Sequence, residues 1–424
     1  MELVIEGRAY YKGKLQSVCI GVEKGRIVAV KKLLRGEKHL DFGERLILPG
    51  AIDIHTHMRE PGMTRKEDFA SGTISAAFGG VTCVFDMPNT KPPTLSLYDV
   101  EEKKALASRK AWTDFGLFGG CSDSSDPARI ASEVVGFKIF MSSTTGSVLL
   151  SEDASIKRSF DFIRPFDKVV SVHAEDEHLI TDGPEQSPKD HDHNRPDQAE
   201  ARAIERLASL GAANRVNVCH VTSRLGIEAL ARTNFSAEAA PHHMLLDFNR
   251  SKTGYAKINP PLRRKEDRES VLKAFAEGKI GILASDHAPH TIEEKEQEFS
   301  AAPSGCPGVE TSFPLMLALT KHEHLPLPRL INAACERPAE LFGLNKGSIE
   351  VGKDADLAIF DPREVVQVKS KRLHSKCGWT LFDGFEAIFP QAVFLRGQLM
   401  VEEGTLVGER SGRDVCASKP RTAG

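Results

Sequence analysis

Apolar runs along the middle of the chain have the composition of β-strands, and several of them end in residues able to bind a metal ion. The candidate ligands at these strand ends are His55, His57, Lys138, His173, His220 and Asp286. Side chains alternate along a strand, so the imidazoles of His55 and His57, two residues apart, can converge on one ion. In a barrel the carboxyl ends of all strands meet on one face, where we expect these residues to be gathered.

A second pair with the same spacing, His191 and His193, provides a comparison. It lies in the polar stretch 187–197 and has no strand-like run before it. An HxH pair alone is a weak signal, and only the first pair is accompanied by further ligands at other strand ends. We therefore predict that His191 and His193 belong to a solvated loop.

Lys138 is the least usual member of the predicted site, because it lies within an apolar run. A buried lysine is costly unless it is paired, and a desolvated amine loses its proton readily. A neutral amine can take up CO₂ to form a carbamate, which can bridge two metals in a site that acidifies a shared hydroxide. A lysine that extends to water, or one that serves as a plain cation for a substrate, remains an alternative on this residue alone.

The elements that position these residues alternate between strands and amphipathic helices. The eight strand candidates cover residues 50–55, 81–86, 114–119, 134–140, 168–173, 215–220, 236–240 and 280–285. This alternation predicts an α/β fold, namely a (β/α)₈ TIM-like barrel. An open doubly wound sheet is the competing architecture, but it calls for a glycine-rich turn after the first strand, where this chain has His55-Thr56-His57.

Both ends of the chain differ from this middle region. Residues 1–48 and 345–424 contain short β-rich runs separated by glycines, whereas residues 49–344 carry the barrel pattern. We predict that the two termini together form one small β-sandwich domain beside the barrel. Two independent β decorations are the alternative.

Three local patterns have simple interpretations. Residues 197–200 resemble a capping box at the start of a helix. Cys219 lies beside a candidate ligand, but strand alternation predicts that it points to the opposite face as a small core residue. The charged run 293–296 is expected to form a solvated face.

Composition excludes several classes of protein. The 424 residues include 40% hydrophobic and 27% charged residues and carry a net charge of −3, so we expect no nucleic-acid partner. The eight cysteines are scattered and form no C-x-x-C pair, as in a reduced cytoplasmic protein. The start of the chain does not look like a signal peptide, and no apolar run is long enough to predict a membrane span.

Several of these stretches together resemble the dihydroorotase signature of the amidohydrolase superfamily. The resemblance is carried by HTHMREPG at residues 55–62, MPNT at 87–90 and SDHAPHT at 285–291, with further matches at 136–140, 172–175, 219–221, 258–263, 307–311 and 347–356. The match runs in order along essentially the whole chain. It implies a metal-dependent barrel that catalyses the reversible cyclisation of N-carbamoyl-L-aspartate to L-dihydroorotate and water, in pyrimidine biosynthesis.

The resemblance also implies a metal site with two Zn²⁺ ions. One ion would be held by His55, His57, Lys138 and Asp286, and the second by Lys138 with His173 and His220. Lys138, carboxylated on its side-chain nitrogen, and a hydroxide would bridge the two ions. Asp286 would take the proton of the attacking hydroxide and return it to the leaving nitrogen.

Other residues are implied to select the substrate. Arg59, Asn89 and His290 would bind the carboxylate of dihydroorotate, and Asn259 with the backbone at Pro307 and Gly308 would bind its ring amide edge. A planar guanidinium suits bidentate binding of a carboxylate. Residues 142–146 would correspond to an active-site loop, with an ordinary βα loop as the alternative.

Two rival functions remain at this point. Allantoinases and hydantoinases or dihydropyrimidinases share the metal-site pattern, but the allantoinase pattern lacks an arginine at the position of Arg59 and a histidine at that of His290. A non-catalytic scaffold that kept the fold would be expected to lose ligands, and this chain keeps all of them. A homo-oligomer and an association with aspartate transcarbamoylase are left open.

Overall fold

The computed structural model describes residues 1–123, 125–144, 148–211, 215–322 and 324–416. The chain begins with four strands that combine buried runs with exposed or half-buried positions. They are β1 (Leu3–Tyr11), β2 (Lys14–Glu23), β3 (Arg26–Lys31) and β4 (Lys38–Pro49). β2 lies antiparallel between β1 and β3, and β1 also pairs in parallel with β4.

A parallel eight-stranded sheet forms the centre of the molecule. Its strands are β5 (Ala51–Thr56), β6 (Val81–Asp86), β7 (Asp114–Gly120), β8 (Gly136–Phe140), β9 (Val169–His173), β10 (Arg215–Val218), β11 (Ser236–Ala239) and β12 (Ile282–Leu283). They neighbour one another in chain order. The two ends of the sheet meet where the His57 amide donates to the His287 carbonyl at 2.8 Å, which confirms the predicted barrel.

The barrel strands are buried almost throughout, as expected for parallel strands covered on both faces. This burial explains why they read in the sequence as continuous apolar runs. Gly50 joins β4 directly to β5, and a Cβ atom at this position would collide with the side chain of Thr82. Glycine therefore allows the terminal sheet to lead into the barrel without a loop.

Helices cover the outside of the barrel. They are α1 (Phe69–Phe78), α2 (Leu97–Lys110), α3 (Asp153–Ile163), α4 (Pro188–Asn194), α5 (Asp197–Ser209), α6 (Arg224–Leu230), α7 (Pro241–Leu245), α8 (Lys265–Ala276), α9 (Ile292–Lys295), α10 (Ser312–Lys321), α11 (Leu327–Ile331) and α12 (Arg337–Phe342). Across the described ranges, no helix is both long and apolar enough to cross a membrane.

The predicted capping box at residues 197–200 is wrong. The residue before α5 is Pro196, and no side chain caps the first turn of this helix. The Glu200 carboxylate instead accepts hydrogen bonds from the backbone amides of Thr222 at 2.8 Å and Ser223 at 3.0 Å. These amides belong to the segment that follows β10. Their hydrogen bonds occupy the carboxylate that the predicted capping box would have used.

The C-terminal region returns to the first sheet. Its strands are β13 (Leu357–Phe360), β14 (Val366–Gln367), β15 (Glu386–Ala387), β16 (Pro390–Leu395), β17 (Gln398–Glu402) and β18 (Thr405–Leu406). β13 pairs antiparallel with β4, so strands from both termini form one eight-stranded sheet, as predicted. β14 and β15 form a separate two-stranded sheet.

A buried ion cluster joins the two sheets. Lys346 Nζ lies 2.6 Å from Asp114 of β7 and 2.5 Å from Asp356, which precedes β13. The Lys346 and Asp356 side chains are almost fully buried. The charges are therefore largely removed from water, and each is compensated by an opposite charge beside it.

Candidate active site

The predicted site residues lie together at the carboxyl ends of the barrel strands. His55 belongs to β5 and His173 ends β9, whereas His220 and Asp286 follow β10 and β12. A cavity at this end of the barrel is lined by His55, His57, Arg59, Asn89, Phe140, Thr144, His173, His220, Asn259, Asp286, Ala288, Ser304 and Gly305. The fold thus gathers residues that are far apart in the sequence.

His55, His57 and Asp286 form a compact group of potential metal ligands. The Asp286 Oδ1 atom lies 3.4 Å from His55 Nε2 and 3.3 Å from His57 Nε2. The other ring nitrogens are directed outward, where His55 Nδ1 contacts Glu238 and His57 Nδ1 lies 2.7 Å from Asn89 Oδ1. Outer partners of this kind direct the Nε2 atoms toward the centre, where they could bind a metal ion.

His173 and His220 form the other half of the site. His173 Nδ1 lies 3.0 Å from His220 Nε2, and His173 Nε2 lies 2.7 Å from Glu175 Oε2. His220 Nδ1 is buried, and no described residue forms a hydrogen bond with it. A buried ring nitrogen without a partner needs an explanation, and imidazole and carboxylate groups are the donor set that zinc binds. The residues therefore fit a divalent metal.

Burial keeps most of these imidazoles neutral. Desolvation lowers the pKa of His57 to about 3, that of His173 below its usual value and that of His220 well below it. A metal ion binds the neutral imidazole. His55 differs, because the carboxylates of Glu238 and Asp286 outweigh burial and the Lys138 charge and raise its pKa to about 10.

The Asp286 carboxylate is held in its ionised form. Burial opposes ionisation, but the adjacent His55 charge and the hydrogen bond of His57 outweigh it, and the pKa of Asp286 lies well below its usual value. An ionised carboxylate in this position can bind a cation or accept a proton.

Lys138 is fully buried, and its Nζ atom lies 2.8 Å from the Sγ atom of Cys219. The prediction that Cys219 points away from the site is therefore wrong. β10 ends at Val218, and the next residues leave the strand conformation, with a φ of 35° at His220, so strand alternation no longer applies. Cys219 forms a second group of potential ligand atoms with His55 and Glu238.

Three residues around the cavity have left-handed backbone conformations that non-glycine residues rarely adopt. The φ angles are 58° at Arg59, 35° at His220 and 45° at Asp286. Such conformations cost of order 1–3 kcal/mol each and persist where the surrounding structure enforces them. The strain lies at the strand ends, where side chains are turned into the cavity.

The predicted carboxylate-binding residues also meet. Arg59 is only 2% exposed, and its Nη2 atom lies 3.1 Å from His290 Nε2, while its Nε donates to the Pro289 carbonyl at 3.1 Å. Burial lowers the pKa of Arg59 to about 10, so the guanidinium stays charged at neutral pH. Arg59 and Asn89 line the same cavity as the metal-binding candidates.

The predicted amide-binding residues are divided between two cavities. Asn259 lines the main cavity. Pro307 and Gly308 line a neighbouring cavity, and the Gly308 amide donates to His287 Nδ1 at 3.1 Å. Of the predicted active-site loop 142–146, Thr144 lines the main cavity, whereas residues 145 and 146 lie outside the described part of the chain.

The prediction of a solvated loop at His191 is wrong. Residues 188–194 form α4, and His191 is 4% exposed, with its ring against Asn259. His193 is exposed, as expected. The polar sequence around His191 gives no sign of burial, because the groups that cover it come from residues about 70 positions later, among them Ile258.

The interpretation of residues 293–296 as a solvated face fails at Lys295. This lysine is fully buried and donates to the carbonyls of Lys257 at 3.1 Å, Pro303 at 2.8 Å and Gly305 at 3.0 Å. Three carbonyl oxygens replace its hydration, which makes burial of the charge tolerable.

Glu238, which contacts His55, was not predicted as a site residue. The sequence did carry a signal for it, namely a carboxylate inside the candidate strand 236–240.

Comparisons with known proteins place this architecture. A model of the amidohydrolase family matches residues 46–399, and the chain belongs to that family. Within the family, it is 37% identical to a dihydroorotase from Halobacterium salinarum over 97% of this chain and 99% of that protein. A dihydroorotase from Archaeoglobus fulgidus is 36% identical over 96% of this chain and 98% of that protein. The predicted relationship to dihydroorotases is confirmed.

Solved structures give the same fold. The L-hydantoinase (dihydropyrimidinase) from Arthrobacter aurescens superposes with a TM-score of 0.92 at 28% identity, covering 98% of this chain and 99% of that chain. A D-hydantoinase superposes with a TM-score of 0.90 at 26% identity over the same shares. The barrel and the sheet from both termini are thus shared with these hydantoinases.

Proposed function

We propose that this protein is a dihydroorotase that interconverts N-carbamoyl-L-aspartate and L-dihydroorotate. The observation that carries this proposal is the buried Arg59 guanidinium, which lines the same cavity as His57 and Asp286. A desolvated guanidinium provides a strong site for a carboxylate next to the metal-binding candidates. Dihydroorotate carries such a carboxylate on the ring that is opened.

The metal centre would be held by six residues, five of which line the cavity, whereas Lys138 is buried beside Cys219. These are His55, His57, Lys138, His173, His220 and Asp286. When bound there, zinc ions would polarise the scissile carbonyl and acidify a water molecule. We further propose that Lys138 reacts with CO₂, because its buried amine and the neighbouring imidazoles suit an anionic ligand better than a cation.

Substrate binding and proton transfer would be carried out by side chains of the protein. Arg59, with Asn89 and His290, would bind the substrate carboxylate and so orient the ring against the histidines. Asp286, ionised and 3.3 Å from His57, would accept the proton of the attacking water and return it to the departing ring nitrogen. The reverse transfers would close the ring. The burial of these groups strengthens each electrostatic interaction.

A hydantoinase or dihydropyrimidinase activity is the second candidate, and the similarity to hydantoinase structures favours it. The substrates of these enzymes lack the ring carboxylate, so the charge of the buried Arg59, whose partners are the uncharged Pro289 carbonyl and His290 ring, would meet no anion of the substrate. The cost of an unpaired buried charge argues against this activity.

The deciding experiment is a spectrophotometric assay of ring opening with L-dihydroorotate, dihydrouracil, hydantoin and allantoin in parallel. A sample stripped with a chelator and a sample reloaded with Zn²⁺ serve as controls. We expect turnover of dihydroorotate alone, lost on chelation and restored by zinc. Preferential turnover of dihydrouracil or hydantoin would favour the second candidate. Absence of turnover of all four substrates by metal-loaded protein would favour a non-catalytic scaffold.

A further inference from the structure

His191 is placed to orient a residue of the substrate cavity. It lies in α4, is nearly fully buried, and both of its ring nitrogens face oxygen atoms. His191 Nδ1 lies 2.7 Å from Glu185 Oε1. His191 Nε2 lies 3.0 Å from the carbonyl oxygen of Ile258 and 2.7 Å from Asn259 Oδ1.

These neighbours fix the positions of the protons on the ring. The Ile258 carbonyl can only accept a hydrogen bond, so Nε2 must carry a proton. The Glu185 carboxylate is likewise an acceptor, because the hydrogen bond of His191 and the ammonium of Lys257, 2.9 Å from Oε2, outweigh burial and hold the pKa of Glu185 at about 2. A ring that donates from both nitrogens is an imidazolium.

The imidazolium in turn fixes the orientation of the Asn259 amide. The two ends of a carboxamide look alike in shape but differ in chemistry, since one donates and the other accepts. His191 can only donate to Asn259, so the amide oxygen faces His191. The NH₂ group is then left for the cavity that Asn259 lines.

We propose that His191, held as an imidazolium by Glu185, is a positioning residue that presents the Asn259 NH₂ group as a donor to a ring carbonyl of the substrate. This inference rests on the proposed function, in which the substrate is a cyclic amide with carbonyl oxygens on its ring. A ring protonated on Nδ1 alone would permit the opposite amide orientation, which would present an acceptor to the same carbonyl. His191 therefore selects ligands with an acceptor at that edge.

The first test compares His191→Leu with His193→Leu. We expect His191→Leu to raise KM for dihydroorotate by about 10-fold to 100-fold and to leave kcat nearly unchanged, because the contact acts on bound substrate and transition state alike. The matched His193→Leu variant alters an exposed residue of the same helix, and its KM should equal that of the wild type. An unchanged KM in His191→Leu would overturn the inference.

A conservative variant and a double variant separate positioning from support of the fold. His191→Gln retains a donor toward Ile258 and Asn259, so it should recover much of the lost affinity. In an Asn259→Ala background, His191→Leu should have little further effect, since both changes remove the same contact. Additive effects on KM would show that His191 does not act through Asn259.

The protonation state has its own readout, which does not depend on activity. In protein labelled with ¹⁵N-histidine, the His191 signals, assigned by their loss in His191→Gln, should show two protonated ring nitrogens at pH 7. A neutral tautomer would overturn the inference. A wild-type protein without activity on dihydroorotate would contradict the proposed function instead, and the NMR result would still decide the state of His191.

Discussion

His57 Nδ1 lies 2.7 Å from Oδ1 of Asn89, and this contact joins the candidate metal centre to the substrate cavity. The amide oxygen can accept the Nδ1 proton, which would leave the Nε2 lone pair of His57 for a bound metal ion. Asn89 is the residue implied to bind the substrate carboxylate. In the proposed function, this one side chain would serve both the metal centre and the substrate.

Removal of the Asn89 amide should weaken both halves. In Asn89→Ala we expect the affinity for zinc to fall about 10-fold to 100-fold, because His57 loses the partner that orients it. KM for dihydroorotate should rise in metal-saturated protein as well. Zinc retention against a competing chelator and steady-state kinetics measure the two effects.

The matched control for this variant is Asn249→Ala, which alters an exposed asparagine in a turn. It should change neither the affinity for zinc nor KM for dihydroorotate. A rise in KM without loss of zinc affinity in Asn89→Ala would show that the contact with His57 has no effect on the metal centre.

Asp286→Asn tests the proposed proton transfer. The amide keeps the shape of the carboxylate but accepts no proton at neutral pH, so kcat should fall about 10²-fold to 10⁴-fold. Zinc content must be measured in the same samples by mass spectrometry. Full turnover at normal zinc content would exclude Asp286 as the proton acceptor.

Arg59→Lys tests the carboxylate pocket. Lysine keeps the charge but loses the planar fork and the Nε bond to the Pro289 carbonyl, so KM for dihydroorotate should rise about 10-fold or more. The control is Arg65→Lys, at an exposed arginine six residues later, which should leave KM unchanged. Equal values of KM for both variants would place the substrate carboxylate elsewhere.

Lys346→Met tests the ion cluster between the two sheets. The change leaves the buried Asp356 without its ammonium partner, while Asp114 keeps its contact with Arg396, so the free energy of unfolding should fall by about 3–5 kcal/mol. Thermal unfolding monitored by circular dichroism measures this loss. Lys371→Met, at an exposed lysine, should change stability by less than about 0.5 kcal/mol. Equal stabilities of the two variants would contradict a joining role for the cluster.

Glu200 predicts a dependence of stability on pH. Burial, the largest influence, raises the pKa of Glu200 to about 7 in the folded protein, against the hydrogen bonds that favour its charge. The folded state then holds the proton more tightly than the unfolded chain. The stability contributed by protonated Glu200 is therefore present below about pH 4.5 and is lost as the pH rises toward 7.

The test compares Glu200→Gln with wild type at several pH values between 4.5 and 8. The variant lacks this titration. The melting temperature of Glu200→Gln minus that of the wild type should therefore increase as the pH rises toward 7. Glu205→Gln, at an exposed position of the same helix, should follow the wild-type curve. A constant difference between Glu200→Gln and wild type would show that Glu200 has no raised pKa.

The architecture and the main cluster could be predicted because their signals are local. Each barrel strand is a short apolar run, and the ligand candidates stand directly at the ends of these runs, as at His173 and Asp286. Alternation along a strand also predicted that His55 and His57 point the same way. These relations depend only on neighbouring residues and on the geometry common to all parallel barrels.

Tertiary structure alone decided the partners of these residues. Cys219 turns toward Lys138 because the backbone leaves the strand conformation after Val218, where alternation ceases to apply. His191 is buried because a segment distant in the sequence covers it. Contacts between distant segments and left-handed backbone angles are set by packing of the whole chain, so no local pattern records them. The sequence by itself determined the barrel and its ring of candidate ligands, whereas the proton positions and outer contacts around them were decided by the fold.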